Sequence, residues 1–398
     1  MVDTIRCGCD EFRWRRLVTR RHLLQGGAGL AALGLGLPAA QFAAVAQEAT
    51  PAAATGGRVV IQGAERSPVE NNTYISPQVE MYGEIEVGQH SFVASNTILS
   101  ASVGSRVSLG NENNCQDNAY LLADDANLFF GDMVSIAHQA VIESSTVGDF
   151  TFFGFRSRTL NCEVGEGAMI MHNTTVENVT IPPNRITPLG VYIGTQAEAD
   201  ALPEVTEAND EFKHEVQEVN LAFAEGYIAL FEELGPSGVE GVGPNPSTEF
   251  NPESIDPQIG EGTVLAELVR IVGDVRLGEE STVGQRTAIR ADEGTPIVIG
   301  RRARIQSRTT FHALNGTSIE IGENAQIGDG NVIHGPLVIG DNFVSEDDCV
   351  VFQATVENNV TVRTGATVAG DFVLREGTIV PEGAVVTTQE EADALPVL

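Results

Sequence analysis

Lysine is almost absent from this chain. Lys213 is the one lysine among 398 residues, so arginine supplies nearly all of the 23 basic side chains. These stand against 55 aspartates and glutamates, which gives a formal net charge of −32. A protein this acidic repels phosphate backbones and anionic lipid headgroups. The composition therefore excludes nucleic acid and anionic membrane surfaces as partners.

Cysteine is scarce as well. Of five cysteines, Cys7 and Cys9 precede an apolar N-terminal stretch, and Cys115, Cys162 and Cys349 lie far apart. An odd, widely spaced set without a C-x-x-C pair indicates neither a disulfide framework nor a thiolate metal site. We therefore expect these three thiols to be buried.

Residues 1–46 are typical of an export signal. An arginine-rich start is followed by a Gly- and Ala-rich apolar stretch, Gly26–Ala46, that ends in the small-x-small sequence Ala44-Val45-Ala46. The pair Arg20-Arg21 resembles a twin-arginine signal. We expect export by the twin-arginine route to the periplasm, cell surface or medium, a linker at residues 47–67, and no membrane contact after cleavage. An uncleaved membrane anchor is the alternative.

Beyond the linker, aliphatic residues recur every six positions. A period of six fits neither an amphipathic helix nor an alternating strand. It is typical of a hexapeptide β-solenoid, in which each six-residue strand and turn forms one side of a triangular coil with the aliphatic residue inside. The residues in phase are Ile75, Met81, Val87, Val93 and Leu99, then Ile271, Leu277, Val283 and Ile289, then Ile321, Ile327, Ile333 and Ile339.

The solenoid occurs twice. Thr195–Pro203 recurs 193 residues later as Thr388–Pro396. Between the copies, Asn209–Leu234 has a helical pattern with Phe212, Val216, Val219, Ala222 and Phe223 on one face. We predict an all-β solenoid: two tandem left-handed parallel β-helices with an α-helix after the first. The predicted domains are β-helix 1 at 68–200, the helix at 201–234, a linker at 235–253 and β-helix 2 at 254–398.

Two histidines of the second copy lie in recognisable segments. His312 begins a His-Ala-Leu sequence and His334 a His-Gly-Pro sequence. Together with Arg290, Asp292 and Gln306, these segments resemble the γ-class carbonic anhydrases. The resemblance implies trimers of left-handed β-helices with a metal ion at each interface, held by this histidine pair and a third histidine from a neighbour. The third position lies five residues before His334, where this copy has Asp329.

The first copy shows the opposite loss. His138 stands in an Ala-His-Gln segment similar to that of the third ligand, whereas Leu122 and Glu143 replace the histidine pair. The resemblance thus implies one composite site, with His138 facing His312 and His334. It also implies that Arg290 pairs across the interface with Asp117 of the first copy.

Other site residues follow from the same resemblance. Gln306 is expected to bind the reacting oxygen or the substrate, and Arg290 and Asn220 to support the site. The family's long acidic proton-transfer loop is replaced by a short turn at Asn315–Thr317. Proton removal would then depend on Glu293 or on buffer.

Three imidazoles suit Zn²⁺ and leave one coordination position for water. A bound ion would lower the pKa of that water to about 7 and so supply a nucleophile for CO₂. We therefore expect an exported carbonic anhydrase that converts CO₂ to bicarbonate with Zn²⁺, Fe²⁺ or Co²⁺. The alternatives are a catalytically inactive structural or metal-binding relative and a hexapeptide acyltransferase.

Assembly stays open at this point. A trimeric ring needs three β-helices, whereas one chain supplies two. We therefore expect a homo-oligomer, whose rings contain either both copies (mixed rings) or one kind of copy (homotypic rings). Mixed rings would form the three-histidine site. Homotypic rings would instead pair His312 and His334 with Asp329 as the fallback ligand.

Overall fold

The computed structural model describes residues 59–61, 69–70 and 72–397. The predicted signal at residues 1–46 and most of the predicted linker at 47–67 lie outside these described residues. Within the described part, no helix combines the length and the apolarity needed to cross a bilayer.

Residues 73–193 and 258–386 form two parallel β-helices, called here the front coil and the rear coil. Each coil has three sheets, and each sheet takes every third strand along the chain, as a triangular coil requires. Antiparallel pairs occur at the start of the front coil, where Val59–Ile61 pairs with Ile85–Val87. The fold is the predicted one: two tandem left-handed parallel β-helices with a long helix between them.

The front coil has sheets F1, F2 and F3. Sheet F1 contains Val59–Ile61, Glu84–Val87, Arg106–Ser108, Leu128–Phe130, Thr146–Val147, Glu163–Val164 and Thr180–Ile181. Sheet F2 contains Val69–Glu70, Thr73–Ile75, Phe92–Val93, Asn114–Cys115, Ser135–Ile136, Phe152–Phe153 and Met169–Ile170. Sheet F3 contains Glu80–Tyr82, Ile98–Ala101, Tyr120–Ala123, Val141–Glu143, Arg158–Leu160, Thr175–Glu177 and Tyr192–Ile193.

The rear coil has sheets R1, R2 and R3. Sheet R1 contains Val242–Gly243, Arg270–Gly273, Ala288–Ala291, Thr310–Ala313, Val332–Gly335, Val350–Phe352, Thr367–Ala369 and Val385–Val386. Sheet R2 contains Gln258–Ile259, Val275–Leu277, Ile297–Ile299, Ile319–Ile321, Leu337–Ile339, Thr355–Val356 and Val373–Leu374. Sheet R3 contains Val264–Leu265, Thr282–Val283, Arg304–Ile305, Gln326–Ile327, Val344–Ser345, Thr361–Val362 and Ile379–Val380.

Each coil encloses its own apolar core. The six-residue aliphatics predicted to point inward are buried there, with the exception of Met81, which is only partly buried. Side chains alternate between the two faces of a strand, so the residue beside each inward aliphatic points outward. The three free cysteines of the described part are buried, as expected.

Within residues 72–397, four helices accompany the coils: α1 at Gln196–Asp200, α2 at Glu207–Leu234, α3 at Pro236–Val239 and α4 at Gln389–Asp393. The repeated sequence noted above produces the same structure twice, since α1 and α4 each begin with a capping box, at Thr195 and Thr388. A capping box satisfies backbone N–H groups that the first helical turn leaves unpaired. The duplication is thus visible in local structure.

Of the apolar face predicted for helix α2, only Phe223 is fully buried. Lys213, Gln217, Asn220, Phe223 and Tyr227 are buried, whereas Phe212, Val216, Val219 and Ala222 stay partly exposed. The reason is polar anchoring: Lys213 Nζ donates to the carbonyl of Gly167 (2.8 Å), and Gln217 Nε2 donates to that of Met133 (2.6 Å). Hydrogen bonds to the front coil outweigh apolar periodicity in the first half of this helix.

The segment predicted as a linker, 235–253, contributes secondary structure. It contains α3 and the strand Val242–Gly243, which pairs with Ile271 and Val272 at the edge of sheet R1. Backbone pairing therefore ties this connection to the rear coil.

The coils meet along the turns between sheets F2 and F3. Asn118 and Gln139 have left-handed backbone angles there, with φ of 60° at each. Asn118 Nδ2 donates to Thr310 Oγ1 (3.2 Å), and Gln139 Nε2 donates to the carbonyl of Asn331 (2.8 Å). These hydrogen bonds hold one corner of the front coil against sheet R1.

Candidate metal centre

Sheet R1 lines up two imidazoles. The parallel register places Arg290 beside His312, and His312 beside His334, on consecutive strands. Adjacent strands are about 4.8 Å apart. Phe311 and Ile333 are fully buried in the rear coil's core, so the histidines that follow them project from its outer face.

The front coil supplies a third imidazole from a turn. Ser135–Ile136 pairs with Asn114–Cys115 in sheet F2. Extending that register by two residues places His138 beside Asp117, on the next turn of the same β-helix. The Gln139 amide donates a hydrogen bond to the Asp117 carbonyl (3.1 Å). His138 therefore lies at the corner that contacts sheet R1.

The three imidazoles meet between the coils. One ring nitrogen from each of His138, His312 and His334 lies within 4.8 Å of the other two. Ring centroids are 5.2 Å apart for His138 and His312, and 5.8 Å apart for His138 and His334. All three side chains are at most 5% exposed.

The remaining ring nitrogens face acceptors. His138 Nδ1 lies 3.4 Å from Asp117 Oδ2, and His312 Nε2 lies 3.2 Å from Asp292 Oδ1. His334 Nδ1 lies 2.9 Å from its neighbour's carbonyl, at Gly335. Metal-binding histidines typically direct their second nitrogen to a carboxylate or carbonyl in this way, which leaves the first nitrogen for the ion.

A buried guanidinium joins these carboxylates. Arg290 donates from Nε to Asp117 Oδ2 (2.9 Å), from Nη1 to Asp292 Oδ2 (2.8 Å) and from Nη2 to Gln116 Oε1 (2.7 Å). The pairing of Arg290 with Asp117 expected from the sequence is present. Burial alone would raise the pKa of Asp117 and of Asp292, but the guanidinium and the adjacent imidazole, His138 or His312, together offset burial and hold the pKa of both carboxyls below the usual value. Both carboxylates therefore stay ionised beside the imidazoles.

Burial favours the neutral, ligating form of His138 and His334. Burial lowers the pKa of His138 to about 4 and that of His334 well below its ordinary value. Neutral imidazole is the form that coordinates a metal ion. At neutral pH, protons therefore do not compete for these two nitrogens.

The charges of the buried carboxylates and the nitrogen ligands of the three imidazoles suit a bound cation. One guanidinium faces two ionised carboxylates, so the buried cluster has a deficit of positive charge. Asp117 Oδ1 and Asp292 Oδ1 have no hydrogen-bond partner, and neither do His138 Nδ1 and His312 Nε2. A divalent ion held by the three imidazoles would offset that deficit.

Helix α2 completes the site with two side chains. Asn220 is buried, and its Oδ1 accepts a hydrogen bond from Gln116 Nε2. Tyr227 donates its hydroxyl proton to Asp292 Oδ2 (2.6 Å). Gln116, Asp292 and Tyr227 were not among the site residues expected from the sequence. For Gln116 the available signal was its position directly before Asp117, the residue expected to pair with Arg290.

Gln306 does not lie in this centre, which corrects the sequence-based expectation. It is exposed on the turn after Arg304–Ile305 in sheet R3, and Gln116 takes its place beside the histidines. The glutamine of this site comes from the same corner of a β-helix as the third histidine. Because His138 comes from the front coil, the glutamine is Gln116 and not Gln306. Asp329, the fallback ligand, is exposed on the same R3 corner and accepts from the Ser307 amide (2.7 Å).

Glu293 lies at the edge of the centre. Its Oε1 accepts from the Asn315 amide (2.7 Å), and its Oε2 lies 3.7 Å from His312 Nε2. Burial raises the pKa of this carboxyl. Of the four other predicted site residues, Arg290, Asn220 and Glu293 thus lie together, and Gln306 lies apart.

A cavity of about 1000 Å³ opens beside the three histidines. It runs below helix α2, between the two coils. His172 is buried and forms part of the cavity wall.

Comparison with known proteins identifies the family. No family model matches the chain. The carbonic anhydrase of Methanosarcina thermophila is 30% identical over 182 residues, which cover 40% of this chain and 74% of that enzyme. The chain belongs to the γ-class carbonic anhydrase family.

Other relatives match over shorter shares of their length. The carboxysome assembly protein CcmM of a Nostoc species is 29% identical over 172 residues, covering 40% of this chain and 31% of that protein. The mitochondrial gamma carbonic anhydrase 1 of Arabidopsis thaliana is 28% identical over 134 residues, covering 30% and 48%. The chain thus spans about half or less of these two relatives.

Among solved structures, a hexapeptide transferase family protein of Anaplasma phagocytophilum has a TM-score of 0.32 and 19% identity. That match covers 38% of this chain and 91% of the other.

Proposed function

We propose that this protein is a metal-dependent carbonic anhydrase that converts CO₂ and water to bicarbonate at a site contained in one chain. The supporting observation is that His138, His312 and His334 approach one another with one nitrogen each turned inward. The relationship to the carbonic anhydrase of Methanosarcina thermophila agrees with this reading.

The three histidines would hold the ion. When bound, a divalent metal supplies Lewis acidity, which makes water nucleophilic near neutral pH. Asp117 and Asp292 orient His138 and His312, and Arg290 fixes both carboxylates from between them. The protein's contribution is a set of ligands already oriented before CO₂ enters.

Gln116 is the polar group best placed to bind substrate. Its Oε1 accepts from Arg290 and its Nε2 donates to Asn220, so the amide orientation is set at both ends. Gln116 also lines the cavity beside the histidines. A fixed amide can orient CO₂ or bicarbonate without reorganising.

Glu293 is proposed as the proton acceptor. One carboxylate oxygen is held by the Asn315 amide, and the other lies 3.7 Å from His312 Nε2. A carboxyl whose pKa is raised toward neutrality accepts and releases protons more effectively at neutral pH. Proton transfer would then proceed from the site through Glu293 Oε2 to solvent.

A metal-binding protein without turnover is the second candidate. It is favoured by the similarity to CcmM, whose name describes an assembly protein. Both candidates predict bound metal, but only the enzyme predicts CO₂ hydration.

Stopped-flow measurement of CO₂ hydration by the metal-loaded full chain distinguishes them. We expect catalysis by the native protein, loss to the buffer rate in His334→Ala, and full retention in His90→Ala, since His90 is exposed. Bound metal together with a buffer-level rate in the native protein would refute the enzyme and support the second candidate.

Three further features belong to the proposal. Zn²⁺ is the expected ion, with Fe²⁺ or Co²⁺ as alternatives, and metal analysis of protein from the native host will identify it. Export by the twin-arginine route is expected from residues 1–46, and N-terminal sequencing of the mature protein tests cleavage after Ala46. Packing of the coils into trimeric rings is expected from the family, and light scattering tests it.

A further inference from the structure

The cavity beside the histidines is far larger than CO₂ requires. Its volume of about 1000 Å³ lies at the upper end of the range typical of drug-sized ligand sites. CO₂ and bicarbonate have three and four heavy atoms, so neither could fill or contact most of its wall. The remaining space is large enough to hold a second, larger ligand.

Aromatic rings form much of the wall. Phe155 and His172 stack with ring centroids 4.4 Å apart and an interplanar angle of 10°. Phe352 stands edge-on to Phe155 at 5.7 Å and 89°. In the same apolar cluster, Phe212 of helix α2 stands edge-on to Phe152 at 5.3 Å. Of these rings, Phe212 and Phe352 are partly exposed in the cavity. A flat aromatic ligand can stack on one such ring and meet another edge-on.

The electrostatics of the lining select against anions. None of the described residues that line the cavity is lysine or arginine. Three exposed glutamates, Glu215, Glu218 and Glu249, surround the opening, and Glu293 lies further in. Negative charge at an opening with apolar walls raises the energy of an entering anion.

Helix α2 is held in a position that keeps the cavity open. Its buried polar residues anchor it to the front coil, as described above, and leave Phe212, Val216 and Val219 facing the cavity. These three side chains are partly buried, and covering their remaining apolar surface with a ligand is favourable. The helix therefore presents an apolar surface to whatever occupies the space.

We propose that this cavity is a binding site for a neutral aromatic small molecule, adjacent to the metal centre and separate from the CO₂ position. An occupant would lie across the approach to His138 and His334 and would slow CO₂ hydration. Binding itself depends on the cavity walls and not on a metal ion, so this inference does not rest on the proposed function.

Two fluorescent probes that differ by one sulfonate test the proposal. N-phenyl-1-naphthylamine is neutral, and 1-anilinonaphthalene-8-sulfonate is its anionic counterpart. With the metal-free full chain, we expect one neutral molecule bound per chain, and at least about tenfold weaker binding of the anion. A tenfold difference corresponds to about 1.4 kcal/mol. Equal affinities would overturn the assigned selectivity.

Substitutions locate the site. Val216→Trp fills the cavity from helix α2 and should abolish binding of the neutral probe. Val264→Trp, the same change at an exposed position of sheet R3, should leave binding intact. Equal effects of the two substitutions, or none, would place the probe elsewhere and refute the proposal.

Neutralising the opening tests the electrostatic argument. The triple change Glu215→Gln, Glu218→Gln and Glu249→Gln alters only exposed side chains. It should bring the affinity for the anionic probe close to that for the neutral one. If the anion still binds weakly, charge at the opening does not select the ligand. Because binding is measured without metal, absent CO₂ hydration with intact probe binding would reject the proposed function alone.

Discussion

Arg290 and Asp117 come from different coils and form a buried ion pair, with Nε and Oδ2 separated by 2.9 Å. The side chain of Arg290 is 2% exposed and that of Asp117 is fully buried. Their sequence separation is 173 residues. This ion pair joins the two coils, and Asp117 in turn orients His138. The same guanidinium also donates hydrogen bonds to Asp292 and Gln116.

Removing the guanidinium should destabilise the protein strongly. Arg290→Met leaves Asp117 and Asp292 buried and unpaired, and losing one partner of a buried pair typically costs about 3–5 kcal/mol. We expect a loss of that size in urea unfolding. Arg276→Met is the matched control, because Arg276 also binds a carboxylate, that of Asp274, but is half exposed. Similar losses in the two variants would contradict a special role for the buried pair.

Metal binding should depend on His138 and not on protein concentration. His138→Ala is expected to lose the ion, as measured by elemental analysis after dialysis, whereas Asp329→Ala keeps it because Asp329 is exposed on another corner. All three ligands lie in one chain, so occupancy should persist on dilution as far as detection allows. Metal loss in Asp329→Ala would instead favour homotypic rings, in which a rear coil packs against the rear coil of another chain.

Gln116 and Gln306 should differ in their effect on catalysis. Gln116→Ala removes the fixed amide beside the histidines, and we expect kcat/KM for CO₂ to fall about tenfold, equivalent to one net hydrogen bond of ~1.4 kcal/mol. Gln306→Ala changes an exposed side chain and should leave kcat/KM unchanged. A larger loss of kcat/KM in Gln306→Ala than in Gln116→Ala would assign substrate binding to Gln306 instead.

Stability of the metal-free protein should fall with acidity partly through His172. Burial lowers the pKa of His172 to about 4, against an ordinary value of 6.5. Between these values the unfolded chain binds a proton that the folded chain does not, so stability decreases as pH falls, by up to about 1.4 kcal/mol per pH unit. The ring's Nδ1 accepts the Phe155 amide proton (2.9 Å).

His172→Asn tests this dependence, because asparagine keeps an acceptor and does not titrate here. Urea unfolding from pH 6.5 to 4 should show a shallower loss for His172→Asn than for the native protein. Parallel curves would mean that His172 is protonated in the folded state or contributes nothing.

The coil interiors were predictable from sequence because their physics is local. An aliphatic residue at every sixth position has to point into the prism, and Val87, Leu99, Ile289 and Ile333 do so with no exposed surface. The register of sheet R1 then follows, which aligns His312 with His334. The family motifs around these residues extended the prediction to His138.

Prediction was less successful where one element meets another. Apolar periodicity favoured Phe212 and Val216 as the buried face of α2, but the helix buries Lys213 and Gln217. Backbone carbonyls at the front coil's edge accept hydrogen bonds from those polar side chains, and no helical pattern records the position of such acceptors.

The sequence by itself determined two coils, their apolar interiors and a set of three histidines divided between them. Only the tertiary structure decided which corner meets which sheet, and with it the roles of Gln116 and Gln306, the burial of His172 and the cavity below α2. The reason is that both copies carry the same six-residue period. That period specifies which side chains point outward, whereas the packing of the coils selects the ones that meet.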